Sequence, residues 1–294
     1  MKSKSDFKIK KLLWATDFSN ESKLCLPYIK FFSETIKVKN YALYVLPKFS
    51  DWVYEAAFFS NEDLHNEVEK TKKKSISKIL NYNSSHKLNF KANIIEGVAS
   101  EEIIRFADSN GIDIIFSGRR GISELEQILV GSTTSRLIRN SNVPIFVVPK
   151  SKRNATVSTI LAPVDLNDFN LSELKYSIIL ARQLKARLYV AHVSEFFNYK
   201  VPVLEKDKLA NLISEKISNV AKALNFKIDK FFYDIGEAAL KIIEISKREK
   251  VDLMVMTSHQ RKGIEKLFLG SVTEKVLMAS EIPLLILPSS YTIP

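Results

Sequence analysis

Three of the chain's eight glycines fall in one short run, SGRRGISELEQILVGS at 117–132, as Gly118, Gly121 and Gly131. Glycine gives up more backbone entropy on folding than any other residue and packs no side chain, so this clustering suggests that the main chain itself is used. Gly131 is followed by Ser132, Thr133 and Thr134, hydroxyl residues able to cap a helix start. A helix N-terminus offers free amide groups and a positive partial charge, which suit a phosphate, and bare glycines let main-chain N–H groups approach it. Asp17, in KKLLWATDFSN, adds a carboxylate that can accept hydrogen bonds from a ribose hydroxyl or a base amino group. A nucleotide fits the whole set. Each part also has a plainer use: Gly118 and Gly121 could turn the chain after a strand, Ser132 could cap a helix, and Asp17 could cap the helix that follows it.

Apolar runs predict strands at 11–16, 40–46, 89–95, 112–117 and 144–148, with helical patterns near 20–37, 60–82, 99–110 and 131–141 between them. Runs such as IDIIFSG read as buried parallel strands, and strand–helix alternation means a doubly wound α/β fold. Gly118 and Gly121 then follow a strand directly and Asp17 ends another. Both lie at the carboxyl edge of the sheet, where ligands of open α/β folds bind.

The pattern occurs twice. KKLLWATDFSN at 10–20 answers STILAPVDLND at 158–168, an offset of 148, and VGSTTSRLIRNSNVPIFVVP answers LGSVTEKVLMASEIPLLILP at an offset of 139. The two halves are therefore expected as tandem α/β domains, 1–150 and 151–294, joined through the polar KSKRNATVS. The first carries nine extra residues, assigned to the aromatic-rich connection at 47–64 with Trp52, Tyr54, Phe58 and Phe59. The last strand of each half starts at a proline, Pro144 or Pro283, as an edge strand tolerates. An apolar edge such as IFVVP needs a cover, and the matching edge of the other half is the economical one.

The motif G-x2-G-x9-G-S/T formed by Gly118, Gly121, Gly131 and Ser132, with Thr16-Asp17 at a strand end, resembles the universal stress protein family across nearly the whole chain. That resemblance implies two Rossmann-like five-stranded sheets paired through their last strands, as a homodimer or a pseudo-dimer within one chain. It implies an ATP or AMP ligand, with Mg2+ as an optional companion. It would place the ribose or base against Ala15, Thr16 and Asp17, the adenine edge at the main chain around Val45, and the ribose beside Ser117 and Gly118. Gly121, Gly131, Ser132, Thr133 and Thr134 would cradle the phosphates. Arg119 and Arg120 could add charge there or simply be solvated.

The second half departs from the motif. Asp165, Val193, Gly270, Ser271 and Thr273 keep their places, but Thr257 stands for the first glycine and Gln260 for the second. A β-branched threonine resists positive φ and a glutamine would project into the phosphate path. His259 could contact a phosphate or be a surface histidine. The expectation is one intact site in the first half and a degenerate one in the second.

The totals restrict other readings. The net charge of +11 raises nucleic acid as a partner, but it divides evenly, +6 in 1–150 and +5 beyond, without basic–aromatic interleaving. No membrane-length apolar run or secretion-type N-terminus is present, which makes cytoplasm the default. The four histidines lack metal-ligand spacing, no G-x-S-x-G or Walker A lysine motif occurs, and the single cysteine, Cys25, reads as core. Catalytic residues are therefore not assigned. Three readings stand: a nucleotide-binding stress or regulatory module; a weak ATPase or adenylating enzyme on a related fold; and a binder of a partner or apolar ligand through the second half or the 47–64 insert.

Overall fold

The computed structural model describes residues 7–47, 61–120, 130–150, 155–166, 171–195, 203–258, 270–289 and 291–293. Strands β1 (Lys11–Ala15), β2 (Lys39–Leu46), β3 (Phe90–Glu96), β4 (Ile114–Gly118) and β5 (Ile145–Val148) form the first half. Strands β6 (Thr159–Pro163), β7 (Arg187–Ser194), β8 (Lys230–Ile235), β9 (Leu253–Thr257) and β10 (Leu284–Leu287) form the second. The first half's helices are α1 (Asn20–Lys23), α2 (Cys25–Thr35), α3 (Asn61–His86), α4 (Ala99–Asn110) and α5 (Ser132–Asn140). Those of the second are α6 (Ser172–Leu184), α7 (Val203–Ala223), α8 (Ala238–Arg248) and α9 (Ser271–Ala279).

All ten strands join one sheet in the order β3-β2-β1-β4-β5-β10-β9-β6-β7-β8. Pairing is parallel within each half and antiparallel where the halves meet, with Phe146 opposite Leu285. The two proline-led strands thus cover each other's edge within one chain. Both are buried along their whole length, and each such side chain contributes about 1.5–3 kcal/mol when removed from water. That continuous apolar seam is why the halves do not present two open edges.

Side chains alternate across the sheet into two cores. Leu12 and Trp14 pack with Phe32 of α2, Ile79 of α3 and Leu174 of α6 on one face. Leu13 and Ala15 pack with Ile103 of α4, Leu137 of α5 and Val276 of α9 on the other. Cys25 lies wholly inside the first core, where burial pushes its thiol far above the ordinary value, so it is an inert packing group.

The sequence predicts one helix over 20–37; the chain instead makes the single turn α1, pivots at Leu24 and restarts as α2. Pro27 explains the break. It has no N–H to donate to the carbonyl of Lys23 and its ring crowds that carbonyl, yet it is tolerated in the first turn of a new helix. The extra length of the first half is shared between its β2–α3 connection and α3 itself, 26 residues against 21 in α7. The aromatics Trp52, Tyr54, Phe58 and Phe59 lie outside the described residues. Gly97 and Gly236 occupy the same turn in both halves, with φ of 153° and 144° that a side-chain-bearing residue rarely adopts.

Among the described residues no helix is long and apolar enough to cross a membrane.

Candidate functional site

In the first half, β1 lies between β2 and β4, so the strand order reverses beside it, and the crevice opens at its carboxyl end. There the chain leaves the sheet after Ala15, itself buried in the core beneath. Thr16 keeps one sheet bond, from its N–H to Leu43 O at 3.0 Å. Side chains then shape the turn. Thr16 Oγ1 accepts the N–H of Phe18 at 3.0 Å, and Asp17 Oδ1 accepts that of Ser19 at 2.9 Å. Ser19, not Asp17, caps α1, accepting the Ser22 N–H at 3.1 Å. One oxygen of Asp17 therefore fixes the turn. Asp17 is partly exposed, and its other oxygen makes no hydrogen bond among the described residues.

The turn is tied down beneath. Trp14 Nε1 donates to Ser22 O at 2.9 Å, and the hydroxyls of Thr16 and Ser22 are 3.0 Å apart. This anchoring carries α1 onto the end of β4, where it meets Gly118. A Cβ on Gly118 would come within 2.9 Å of the carbonyl carbon and oxygen of Glu21. Close approach of protein backbone thus accounts for this glycine; phosphate access need not be invoked for it. In the second half Ala162 replaces Trp14 and Thr257 replaces Gly118.

Beyond β4, α5 begins at Ser132 with Gly131 as its N-cap and no capping side chain. The expectation that Ser132, Thr133 or Thr134 caps the helix is corrected here: these residues are its first turn. The first intrahelical bond runs from Ser135 N–H to Gly131 O. The amides of Ser132, Thr133 and Thr134 are consequently left without intrahelical acceptors. Thr134 is buried, and its hydroxyl lies 2.8 Å from Gly118 O and 2.9 Å from Ser117 Oγ. The hydroxyls of Ser117 and Thr134 therefore face inward, and a ligand could meet only their main chain. Ser132 is exposed and Thr133 half-buried, so their side chains remain accessible. Gly121 lies outside the described residues.

Val45 belongs to the same crevice through its backbone. Leu43 O points toward β1 to receive Thr16 N–H, and the two-residue period of a strand turns the peptide groups of Val45 the same way. At that level β1 has already left the sheet. The Val45 side chain is buried in the core. Sequence reasoning missed the wall alongside. Phe18, held at φ 61°, has its ring 4.8 Å from that of Tyr44, and Lys78 of α3 stands 4.9 Å over the Phe18 ring. Burial and then the Asp17 carboxylate hold the Tyr44 phenol above its ordinary pKa. Only the alternation in NYALYVL hinted at Tyr44; nothing local marked Lys78.

Arg119 points elsewhere. Its guanidinium reaches the carbonyl end of α9 in the second half, which corrects the expectation of a phosphate contact or simple solvation. Burial and then neighbouring Arg120 lower its pKa. Arg120 is half-buried.

The second half repeats the frame with other contents. Val164 N–H donates to Ala191 O at 2.8 Å, and Thr273 Oγ1 donates to Thr257 O at 2.9 Å, matching Thr16–Leu43 and Thr134–Gly118. Gly270 is the N-cap of α9 and Ser271 its exposed first residue. Asp165 uses its N–H toward Glu173 Oε1 at 3.1 Å. Val193 occupies the level of Val45, but His192 takes that of Tyr44, its Nδ1 2.9 Å from Val164 O. A carbonyl can only accept, so Nδ1 is the donor in this contact. His259 and Gln260 lie outside the described residues.

The family model of the universal stress protein family matches residues 8–149 and again 156–288. A universal stress protein of Methanocaldococcus jannaschii is 31% identical over 156 residues, covering 48% of this chain and 95% of the relative. A second from that organism is 28% identical over 144 residues, covering 49% and 84%. Among solved structures, a universal stress protein from Archaeoglobus fulgidus superposes on 96% of this chain and 99% of its own with a TM-score of 0.73. At 20% identity that is a likeness of fold.

Proposed function

The chain belongs to the universal stress protein family, and on that premise we propose that its first half binds one adenine nucleotide, ATP or AMP, as a cytoplasmic regulatory module. The observation that carries this reading is the frame linking Asp17 to the α5 N-terminus across β1 and β4. Asp17 offers a carboxylate oxygen, and three amides of α5 lack acceptors in their own helix. A ribose or base donor suits the first, and a phosphate suits the second. The Val45 main chain offers donor and acceptor groups to the adenine edge, while Phe18 and Tyr44 supply an aromatic wall. Mg2+ would accompany the phosphates of ATP.

In this reading the second half holds no equivalent nucleotide. There the Phe18–Tyr44 wall is replaced by Leu166 and His192, and the His192 ring is tied to Val164 O. Its role is structural support and the display of a different surface. The protein then signals by its nucleotide-bound and nucleotide-free forms rather than by turnover.

Native mass spectrometry of the purified chain, followed by calorimetry with ATP and AMP, tests this. One nucleotide per chain, lost in Asp17→Ala and kept in Asp165→Ala, is the expected result. Rapid ATP turnover that depends on Asp17 would replace the module with an enzyme.

A further inference from the structure

Arg119 joins two parts of the molecule that the nucleotide reading treats separately. Its main chain belongs to the first-half crevice: its N–H donates to Val148 O, and its carbonyl accepts the N–H of Gly131, each at 2.9 Å. Gly131 is the N-cap of α5, so Arg119 fixes the residue from which the free amides start. Its side chain leaves the first half. Nη1 lies 3.3 Å from Leu277 O, 3.2 Å from Met278 O and 3.0 Å from Ser280 O, at the carbonyl end of α9.

Two physical terms favour this contact. The last carbonyls of a helix have no partner within it, and a cation complements the negative end of the helix dipole. The guanidinium is half-buried there, which strengthens the bonds and makes a variant without them costly. The arrangement is one-sided. Ser258 holds the matching place in the second half, and its N–H repeats the sheet bond, to Leu287 O at 2.8 Å. Its side chain is too short to reach a helix end, and the residue is buried, 3% exposed. The second half also reaches across, through Gln183, but to Phe7 and Ile9 ahead of β1 and not to the carbonyl end of α5.

We propose that Arg119 is a positioning residue through which the second half sets the geometry of the anion-facing helix start in the first. The helix α9 holds the guanidinium, the Arg119 carbonyl holds Gly131, and Gly131 opens α5. A ligand that engages the α5 amides is then linked to the contact with α9, and by reciprocity the contact raises ligand affinity. The ligand part rests on the nucleotide reading; the link between α9 and Gly131 does not. The degenerate half is thereby retained as the clamp of the intact one.

The test uses the full chain with Arg119→Met, which keeps the aliphatic stem, and Arg119→Lys, which restores a single cationic donor. Hydrogen exchange without ligand should be faster in Arg119→Met both at 276–281 and at 130–135, and Arg119→Lys should recover part of each. Faster exchange at 276–281 alone would make Arg119 a mere helix cap and overturn the proposal. With ATP, the affinity of Arg119→Met should fall about tenfold, a coupling within the usual range. ATP should also protect 276–281 in the parent but not in the variant. Equal affinities would overturn the coupling. If the parent fails to bind ATP, the nucleotide reading falls, and the ligand-free exchange still decides the link. If Arg119→Met does not fold, the same exchange and affinity comparisons on Arg119→Lys decide it.

Discussion

Thr134 Oγ1 donates to the carbonyl of Gly118 at 2.8 Å, and Thr273 Oγ1 makes the same bond to Thr257 at 2.9 Å in the other half. In each case the first turn of a helix is hung from the end of the strand before it, inside the protein. The hydroxyl sets where the helix starts and takes no direct part in holding a ligand. Thr134→Val keeps the shape but leaves a buried carbonyl with a weaker set of partners. Urea unfolding should show a loss of about 1–3 kcal/mol, and ATP affinity should fall with it. Thr273→Val should lose similar stability with ATP binding unchanged. Equal effects of both variants on ATP binding would contradict this assignment.

Gly118 is adjacent to the Glu21 carbonyl, 2.9 Å from where a Cβ would lie. Backbone is the obstacle, so a rotamer change cannot relieve it. Gly118→Thr, which copies the second half, should displace α1 and destabilise the chain by about 1–3 kcal/mol. Near-ultraviolet circular dichroism should change as well, because Trp14 donates to the carbonyl of Ser22 on the displaced turn. A variant as stable as the parent would show that α1 is not packed as described.

Tyr176 is fully buried in α6, between Phe7 and Tyr291, and its hydroxyl has no hydrogen-bond partner among the described residues. Burial, then Tyr291 and Asp113, raise its pKa well above the ordinary phenol value. The unpaired hydroxyl is a cost to the folded state. Tyr176→Phe should therefore raise stability, by about 1 kcal/mol or more, seen as a higher urea midpoint at unchanged slope. A clear loss of stability would mean that the hydroxyl is satisfied in solution.

Much of the fold was legible in the sequence because its signals are local. Continuous apolar runs marked the buried strands, and Pro144 and Pro283 marked the two edge strands that turn out to meet. The repeat offsets paired Val164 with Thr16 and Thr273 with Thr134 before any contact was seen. The site was legible only in outline. Gly118 reads as a ligand-facing or chain-turning glycine until Glu21, far away in sequence, is found against it. Arg119 reads as a phosphate partner or a solvated loop residue until α9, more than 150 residues on, is found under its guanidinium. The inward turn of the Thr134 hydroxyl depends on the distance between β4 and α5, which spacing alone does not encode. The break at Leu24 differs: its cause, Pro27, is local, yet a proline in a helical run is equally compatible with a first turn or a kink, so the single helix expected over 20–37 did not place it.

Calorimetric titration of the full chain with ATP tests the account most directly. It predicts one site per chain, abolished by Asp17→Ala and untouched by Asp165→Ala. Two sites, or no binding to nucleotide-free protein, would contradict it.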